Sequence, residues 1–216
     1  MPAIARRGTP ATAQRPPRRR QIMPAEVRVD DLMTAAADLF IAQGIDATTV
    51  DDIVARANVA KGTFYHYFST KADVILALRE RFTRNFLARA AAAIDACPPD
   101  DHPARLAAWL RGVVETYLAN YALHDVVFHD FTHSRRRSGE KDAVIDQLVR
   151  LLEAGGAAGI WTFPTARAAA LIMFDGMHAV VDEAIEAGQR DPQPLCALLE
   201  AMFGRMLAST SPSGRR

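Results

Sequence analysis

Apolar residues recur along most of this chain at intervals of three and four positions, and seldom at intervals of two. This spacing places them on one face of an α-helix and gives no convincing strand. Leu32, Ala36, Leu39 and Phe40 begin the series, and Gly44 follows at the place of a helix C-terminal glycine. The pattern therefore predicts an all-α fold whose first helix is about four turns long.

Two of the next three helices are predicted from their start signals. Thr49 stands three residues before Asp52, and Thr70 stands three residues before Asp73. Both pairs have the spacing of a capping box, in which each partner bonds a free N–H of the other at a helix start. The first pair opens a short second helix and the second pair opens a long fourth one. A short third helix is predicted between them, from Lys61 to Phe68.

The segment Cys97–Asp101 contains two consecutive prolines and is predicted to end the fourth helix. Polar and glycine-rich stretches divide the remainder of the chain. Four or five further helices are predicted, with approximate cores at Pro103–Tyr121, Ala122–Ser134, Asp142–Ala154, Thr165–Ala187 and Pro194–Ala208.

Composition limits the class of protein. Half of the 216 residues are hydrophobic, which suffices for a packed core, and two cysteines are too few for a disulfide framework. A reducing, cytoplasmic location is therefore expected. The longest apolar run tested, residues 168–181, is interrupted by Asp175 and His178 and is shorter than the roughly 20 residues that a membrane span needs. No membrane association is expected.

The second and third predicted helices are two turns long and joined by a short turn, which is the geometry of a helix-turn-helix. The second helix of such a pair is presented to the DNA major groove. The third helix has suitable chemistry for that position. Lys61 and Thr63 offer donors for phosphate or base edges, Gly62 permits close approach, and Tyr65, His66 and Tyr67 carry polar tips on flat rings.

Residues 32–78, LMTAAADLFIAQGIDATTVDDIVARANVAKGTFYHYFSTKADVILAL, resemble the amino-terminal domain of TetR-family transcriptional repressors. The resemblance covers the AA..LF...G pattern, the T-V-x-D-I segment, the GTFYHYF core and the lysine after it. It implies a three-helix helix-turn-helix DNA-binding domain followed by a helical ligand-binding and dimerisation domain. The predicted organisation is a disordered Arg/Pro-rich tail at 1–22, a DNA-binding domain at 23–75, an effector and dimerisation domain at 76–210 and a disordered tail at 211–216.

The resemblance assigns DNA contacts residue by residue, and it leaves Phe64 and Phe68 to the core. Two positions depart from the family pattern: Asn58 replaces the usual turn glycine, and Ala60 replaces the serine that commonly caps the recognition helix. The residues expected to contact DNA are Thr49, Lys61, Gly62, Thr63, Tyr65, His66, Tyr67 and Lys71.

Charge raises a difficulty for this interpretation. Residues 21–75 contain four basic and eight acidic residues, whereas residues 1–20 contain six arginines and no acid. We expect the arginine tail to supply non-specific attraction to phosphates. The alternative is that the tail is irrelevant, because Met23-Pro24-Ala25 repeats Met1-Pro2-Ala3 and leaves both methionines open as the start.

The resemblance also implies a homodimer that binds a palindromic double-stranded DNA operator and is released by a small-molecule effector. The last two predicted helices would form a four-helix bundle with their partner copies, although a monomeric core remains an alternative. The effector pocket would lie among the middle helices, where soft and aromatic side chains are either its lining or plain core. These are Trp109, Tyr117, Tyr121, Phe128, Phe131, Met173, Phe174 and Met177.

Asp125, His129 and His133 follow one another at four-residue steps, which places them on one face of an α-helix. With His178 as a fourth ligand they could hold a divalent metal, zinc or nickel. The alternative is a set of hydrogen-bonded polar pairs. A different class of function, an all-helical metal-dependent hydrolase using the His-Asp dyads, would need further ligands from distant helices. No nucleophile elbow, P-loop or dinucleotide fingerprint supports another enzyme class.

Overall fold

The computed structural model describes residues 25–129 and 139–208. Within these residues the chain forms α-helices and one π-helical turn, so the all-α prediction is confirmed. The predicted tails lie outside the described residues. The helices are α1 (Ala25–Gln43), α2 (Val50–Arg56), α3 (Lys61–Tyr67), α4 (Lys71–Asp95), α5 (His102–His124), α6 (Gly139–Ala157), α7 (Ala166–Glu186) and α8 (Pro192–Leu207), with the π turn at Asp125–His129 between α5 and α6.

Both capping boxes predicted from the sequence are present. The Thr49 hydroxyl accepts a hydrogen bond from the backbone N–H of Asp52, and Thr70 does the same for Asp73. Each aspartate in turn accepts a bond from the backbone N–H of its threonine. These reciprocal bonds satisfy N–H groups that the first turn of a helix leaves without partners. They explain why α2 and α4 begin where they do.

The buried side chains form two separate clusters. One belongs to α1, α2, α3 and the start of α4, and it surrounds the fully buried Phe40, Ile53 and Phe64. The other belongs to α5 to α8 and the second half of α4, and it surrounds Trp109 and Leu148. Helix α4 is thus shared by both clusters. Since an α-helix is stiff, its two ends move as one body and mechanically link the two halves.

The end of α5 differs from the prediction. A helix boundary was expected between residues 121 and 122, but α5 continues to His124 with one non-helical residue, Asn120 (φ −129°, ψ 18°). The side chain of Asn120 donates to the carbonyl of Thr116 at 2.8 Å, which satisfies an acceptor within the distorted turn. Neither proline nor glycine stands at the expected boundary, and the helix accommodates a local distortion instead of ending.

Beyond α5 the chain turns back toward the first cluster. The π turn places Val127 in that cluster, where its side chain is fully buried. The Arg79 guanidinium on α4 donates a hydrogen bond to the Val127 carbonyl and lies 5.3 Å from the centre of the Phe128 ring. A segment from the second half of the chain therefore completes the core of the first half.

No helix in the described parts of the chain is both long enough and apolar enough to cross a membrane.

Candidate nucleic-acid interface

Helix α3 is held by two phenylalanines on its inner face. Phe64 is fully buried and Phe68, four residues later, is 8% exposed; their ring centres lie 5.7 Å apart. Phe64 lies within α3 and Phe68 is the residue that ends it, and the burial of both rings leaves the other side of the helix toward solvent. Lys61, Gly62, Tyr65 and His66 are exposed, and Thr63 and Tyr67 are partly exposed. The six residues expected on the DNA side of α3 therefore all remain accessible to some degree.

The turn between α2 and α3 fixes the angle at which α3 is presented. Asn58 adopts φ 53°, the left-handed conformation that glycine usually supplies. Its neighbour Val59 donates its backbone N–H to the carbonyl of Val54 at 3.0 Å. Asparagine tolerates this conformation better than most residues, so the departure from glycine leaves the turn intact.

The start of α3 lacks a side-chain cap. Ala60 has the extended backbone of an N-cap residue (φ −75°, ψ 148°), but a methyl group cannot accept a hydrogen bond. The free N–H groups of the first turn of α3 therefore point outward with only water or a ligand as partner for some of them.

Lys61, the first residue of α3, is paired with an acid of the preceding helix. Its Nζ lies 2.8 Å from Oδ1 of Asp51, and both side chains are more than half exposed. This hydrogen bond raises the pKa of the Lys61 ammonium. The lysine is charged and accessible, and a phosphate or a base competes with Asp51 for its N–H donors.

The Thr49 hydroxyl is also hydrogen-bonded within the protein. Its hydroxyl accepts from the backbone of Asp52 and donates to the carboxylate of the same residue at 2.7 Å. These hydrogen bonds lower the pKa of Asp52, which stays ionised at neutral pH. The capping role that the resemblance gave to Thr49 is confirmed, whereas its phosphate contact stays a prediction.

Lys71 has a position that sequence reasoning did not foresee. Its ammonium donates to the backbone carbonyls of Ile45 and Thr48, the second at 2.7 Å. Thr48 is buried, and its hydroxyl donates to the carbonyl of Gly44 at 2.7 Å. Lys71 thus fastens the loop between α1 and α2 to the start of α4. An ammonium has three N–H donors, so one remains for a phosphate.

The residues predicted for the effector pocket lie in several places. Trp109, Met173 and Met177 are fully buried in the second cluster, and the Trp109 indole donates to Oε1 of Gln147 at 3.0 Å. Phe128 packs against the first cluster instead. Phe131 lies outside the described residues. Their role as pocket lining stays a prediction.

Tyr117 and Phe174 belong to a polar and aromatic group between α5 and α7. The Tyr117 hydroxyl donates to Oδ1 of Asp182 at 2.5 Å, and its ring centre lies 4.3 Å from that of His124 and 5.1 Å from that of His178. Burial raises the pKa of the Tyr117 hydroxyl and lowers the pKa of His178, so both are neutral near pH 7. His124 was not among the predicted site residues, since nothing in its local sequence pairs it with a residue 54 positions away.

Only some of the predicted metal ligands belong to the described part of the chain. His133 and the side chain of His129 lie outside it. The α-helical spacing assumed for Asp125 and His129 is wrong, because their backbone forms a π turn, in which residues four apart no longer stand directly above one another. Among the side chains that are described, no three of the His, Cys, Asp and Glu type are close enough together to hold a metal ion. The metal site stays a prediction.

Comparison with known proteins shows which family this part of the chain resembles. Residues 32–78 match the model of the bacterial regulatory proteins of the tetR family. The chain is 34% identical over 70 residues to the transcriptional activator FasR of Mycolicibacterium smegmatis, which is 32% of each protein. It is 38% identical over 60 residues to the repressor KstR2 of the same species, covering 28% of this chain and 27% of the relative. The chain thus spans about a third of the length of these relatives.

The fold extends the similarity beyond the matched segment. A solved tetR-family regulatory protein from Rhodococcus RHA1 superposes with a TM-score of 0.67 at 23% identity, over 85% of this chain and 98% of the other. At this identity the match speaks for the fold alone. Taken together, residues 32–78 match the tetR family of bacterial regulatory proteins in sequence, and 85% of the chain has the fold of a solved protein of that family.

Proposed function

We propose that this protein is a ligand-responsive repressor that binds a palindromic DNA operator as a homodimer. The observation that carries the proposal is the outward face of α3, where Lys61, Thr63, Tyr65 and His66 project from a helix anchored by buried phenylalanines. Donors on a rigid helix suit the reading of base edges in a major groove. The acidic character of residues 21–75 requires that affinity come from these few placed groups.

Dimerisation is inferred from apolar side chains left exposed on the last two helices. Leu198, Met202 and Met206 follow one another at four-residue steps along α8, and they are 49%, 54% and 37% exposed. Leu171 and Ile172 on α7 are exposed as well. A stripe of this kind, on adjacent helices, suits a four-helix bundle formed with the same two helices of a second copy. Two recognition helices would then reach half-sites about one DNA turn apart.

A route for the effector signal runs from α7 to α4. Asp182 on α7 accepts from Tyr117 on α5, and the Tyr117 ring contacts His124 at the end of that helix. His124 packs against Phe128 of the π turn, which packs against Phe82 on α4. A ligand that shifts these side chains would move the π turn and with it the DNA-binding half. The ligand can change the free-energy difference between the two arrangements only by the difference in its binding free energy to them.

The relatives include both an activator and a repressor of transcription. FasR is described as an activator and KstR2 as a repressor. We assign repression because binding an operator is enough to block transcription, whereas activation needs an additional contact with the transcription machinery. The cytoplasm is the compartment in which such a regulator meets DNA.

A divalent metal, zinc or nickel, remains our proposal for Asp125, His129, His133 and His178. Its test is a metal analysis of the purified protein after reconstitution, with a His129→Ala/His133→Ala variant for comparison. The site is supported if the parent chain holds stoichiometric metal and the variant does not. The proposal is overturned if neither protein holds metal. The hydrolase alternative gains no support from the comparisons, which identify a family of regulators.

The proposed function is tested by selecting bound fragments from genomic DNA with the purified full-length chain. The expected result is enrichment of fragments that share a palindrome with half-sites about ten base pairs apart. Enrichment of fragments with no shared sequence would contradict it. The genes next to the operator would also suggest the class of effector.

A further inference from the structure

A cleft of about 660 Å³ lies where α1, α4 and α5 meet, between the two halves of the molecule. None of the described residues predicted for the effector pocket lines it. The α4 side of the cleft is formed by seven residues between positions 78 and 89, and the α5 side by positions 116, 120 and 123. Asp30 and Thr34 close it from α1. The cleft is therefore contacted by both clusters of the fold.

The charge in this cleft is unbalanced. Three arginines, Arg81, Arg84 and Arg89, line it, and Asp30 is the acidic residue that faces them. The closest Arg81–Asp30 distance is 3.6 Å, longer than a tight charged hydrogen bond of about 2.8 Å. Within the described residues, neither Arg84 nor Arg89 has a carboxylate within ion-pairing distance. In a concave site an excess of guanidinium groups raises the local concentration of anions.

The rest of the lining is mixed, with apolar and hydrogen-bonding groups side by side. Leu78 and Phe86 are buried beneath the cleft, and Phe82 is partly buried beside them. On the opposite wall, the Asn120 amide group donates through its nitrogen to Thr116, which leaves its side-chain oxygen available. A ligand with one anionic group and one apolar part matches this combination of guanidinium groups and carbon surface.

We propose that this cleft binds a small organic anion, a carboxylate or a phosphate ester, whose charged group pairs with Arg84 and Arg89. The apolar part of the anion lies on Phe82 and Leu123, which are partly exposed. A guanidinium offers paired N–H donors that match two oxygens of a carboxylate or phosphate, which a lysine does not. The loosely paired Arg81 exchanges Asp30 for the ligand when the site fills.

Occupancy of the cleft has a structural consequence. Leu123, on the α5 wall, stands two residues before the π turn that delivers Val127 to the DNA-binding core. An anion bridging α4 and α5 beside α1 would therefore alter how the two halves are docked. The regulation of DNA binding by the bound anion rests on the proposed function, whereas the binding of the anion to the cleft does not.

The test uses a matched pair of fluorescent probes, 8-anilinonaphthalene-1-sulfonate and its uncharged counterpart N-phenyl-1-naphthylamine. Each is titrated into the full chain, into Arg84→Gln/Arg89→Gln and into the control Arg111→Gln/Arg150→Gln. The control removes two exposed arginines outside the cleft. We expect the cleft variant to bind the sulfonate about tenfold or more weakly, because it loses charge-assisted hydrogen bonds. The control should bind it as the parent does, and the uncharged probe should not distinguish the three proteins.

Competition identifies the anionic group. Decanoate and decyl phosphate are used to displace the sulfonate, and displacement by one but not the other assigns the site to carboxylates or to phosphate esters. No sulfonate binding, or equal loss in both double variants, overturns the cleft proposal. Binding of selected DNA is measured on the same samples. If DNA binding is normal while the arginines prove irrelevant, the cleft proposal fails alone; if the parent chain binds no DNA, the proposed function fails.

Discussion

Lys61 and Asp51 form an ion pair across the helix-turn-helix, with 2.8 Å between Nζ and Oδ1. The first residue of the recognition helix is thus held by an acid of the helix before it. Exposed pairs of this kind are weak, so DNA phosphates can compete with Asp51 for the lysine at low cost. The pair keeps the lysine side chain near the DNA-facing end of α3.

Asp51→Asn should increase affinity for DNA by a few-fold, because the Lys61 ammonium no longer shares its N–H donors and its charge with a carboxylate. The dissociation constant for an operator fragment is measured by fluorescence anisotropy. Asp46→Asn removes the same charge from the exposed loop before α2 and serves as the control. An equal gain in both variants would mean that only net charge matters and would contradict a specific competition at Lys61.

Lys71→Met should lower the free energy of unfolding by about 1.5–3 kcal/mol, the range for hydrogen bonds made by a charged group. The reason is that the carbonyls of Ile45 and Thr48 lose their shared donor. Urea denaturation followed by circular dichroism measures the loss. Lys61→Met is the matched control, because Lys61 is also the first residue of its helix but pairs with an exposed side chain. Similar losses in the two variants would argue against the clamp.

Ala60→Ser should raise the melting temperature, because a serine oxygen at this position can accept from the first turn of α3. Such caps stabilise helices by about 0.5–2 kcal/mol relative to alanine. Ala60→Val, which adds bulk without an acceptor, is the comparison. A melting temperature that is unchanged or lower in the serine variant would show that the backbone of residue 60 does not permit the bond.

Leu198→Glu/Met202→Glu should convert a dimer into monomers and weaken operator binding, because charges would be buried in the proposed bundle. Sedimentation velocity gives the oligomeric state. The control is Leu76→Glu, which charges an equally exposed leucine on α4, outside the stripe. A double variant that remains dimeric would place the interface elsewhere.

The sequence predicted the parts of the fold that depend on neighbouring residues. These parts are the capping boxes at Thr49 and Thr70, the turn at Asn58 and the uncapped start at Ala60. They can be predicted because caps and turns depend on residues within three or four positions. The assignment of Phe64 and Phe68 to the core is confirmed by their burial.

What the sequence did not predict depends on contacts between distant segments. The Lys71 clamp joins residues 23 and 26 positions apart, and Arg79 reaches Val127 over 48 positions. The π turn has no local signature, so an α-helical spacing was assumed through it. The arginine cleft was missed for a similar reason, since its arginines face solvent in the helix pattern and become a site only when α1 and α5 are placed beside α4.

The central claim is that the outward face of α3 reads DNA sequence. Its most direct test is the ratio of dissociation constants for the selected operator and for a scrambled duplex of equal length, measured for the parent chain and for Thr63→Ala/His66→Ala. Neither substitution removes a lysine or an arginine, so affinity for the scrambled duplex should stay the same. We predict that the ratio falls about tenfold or more, because contacts to base edges are lost. An unchanged ratio would contradict the assignment of α3 as the recognition helix.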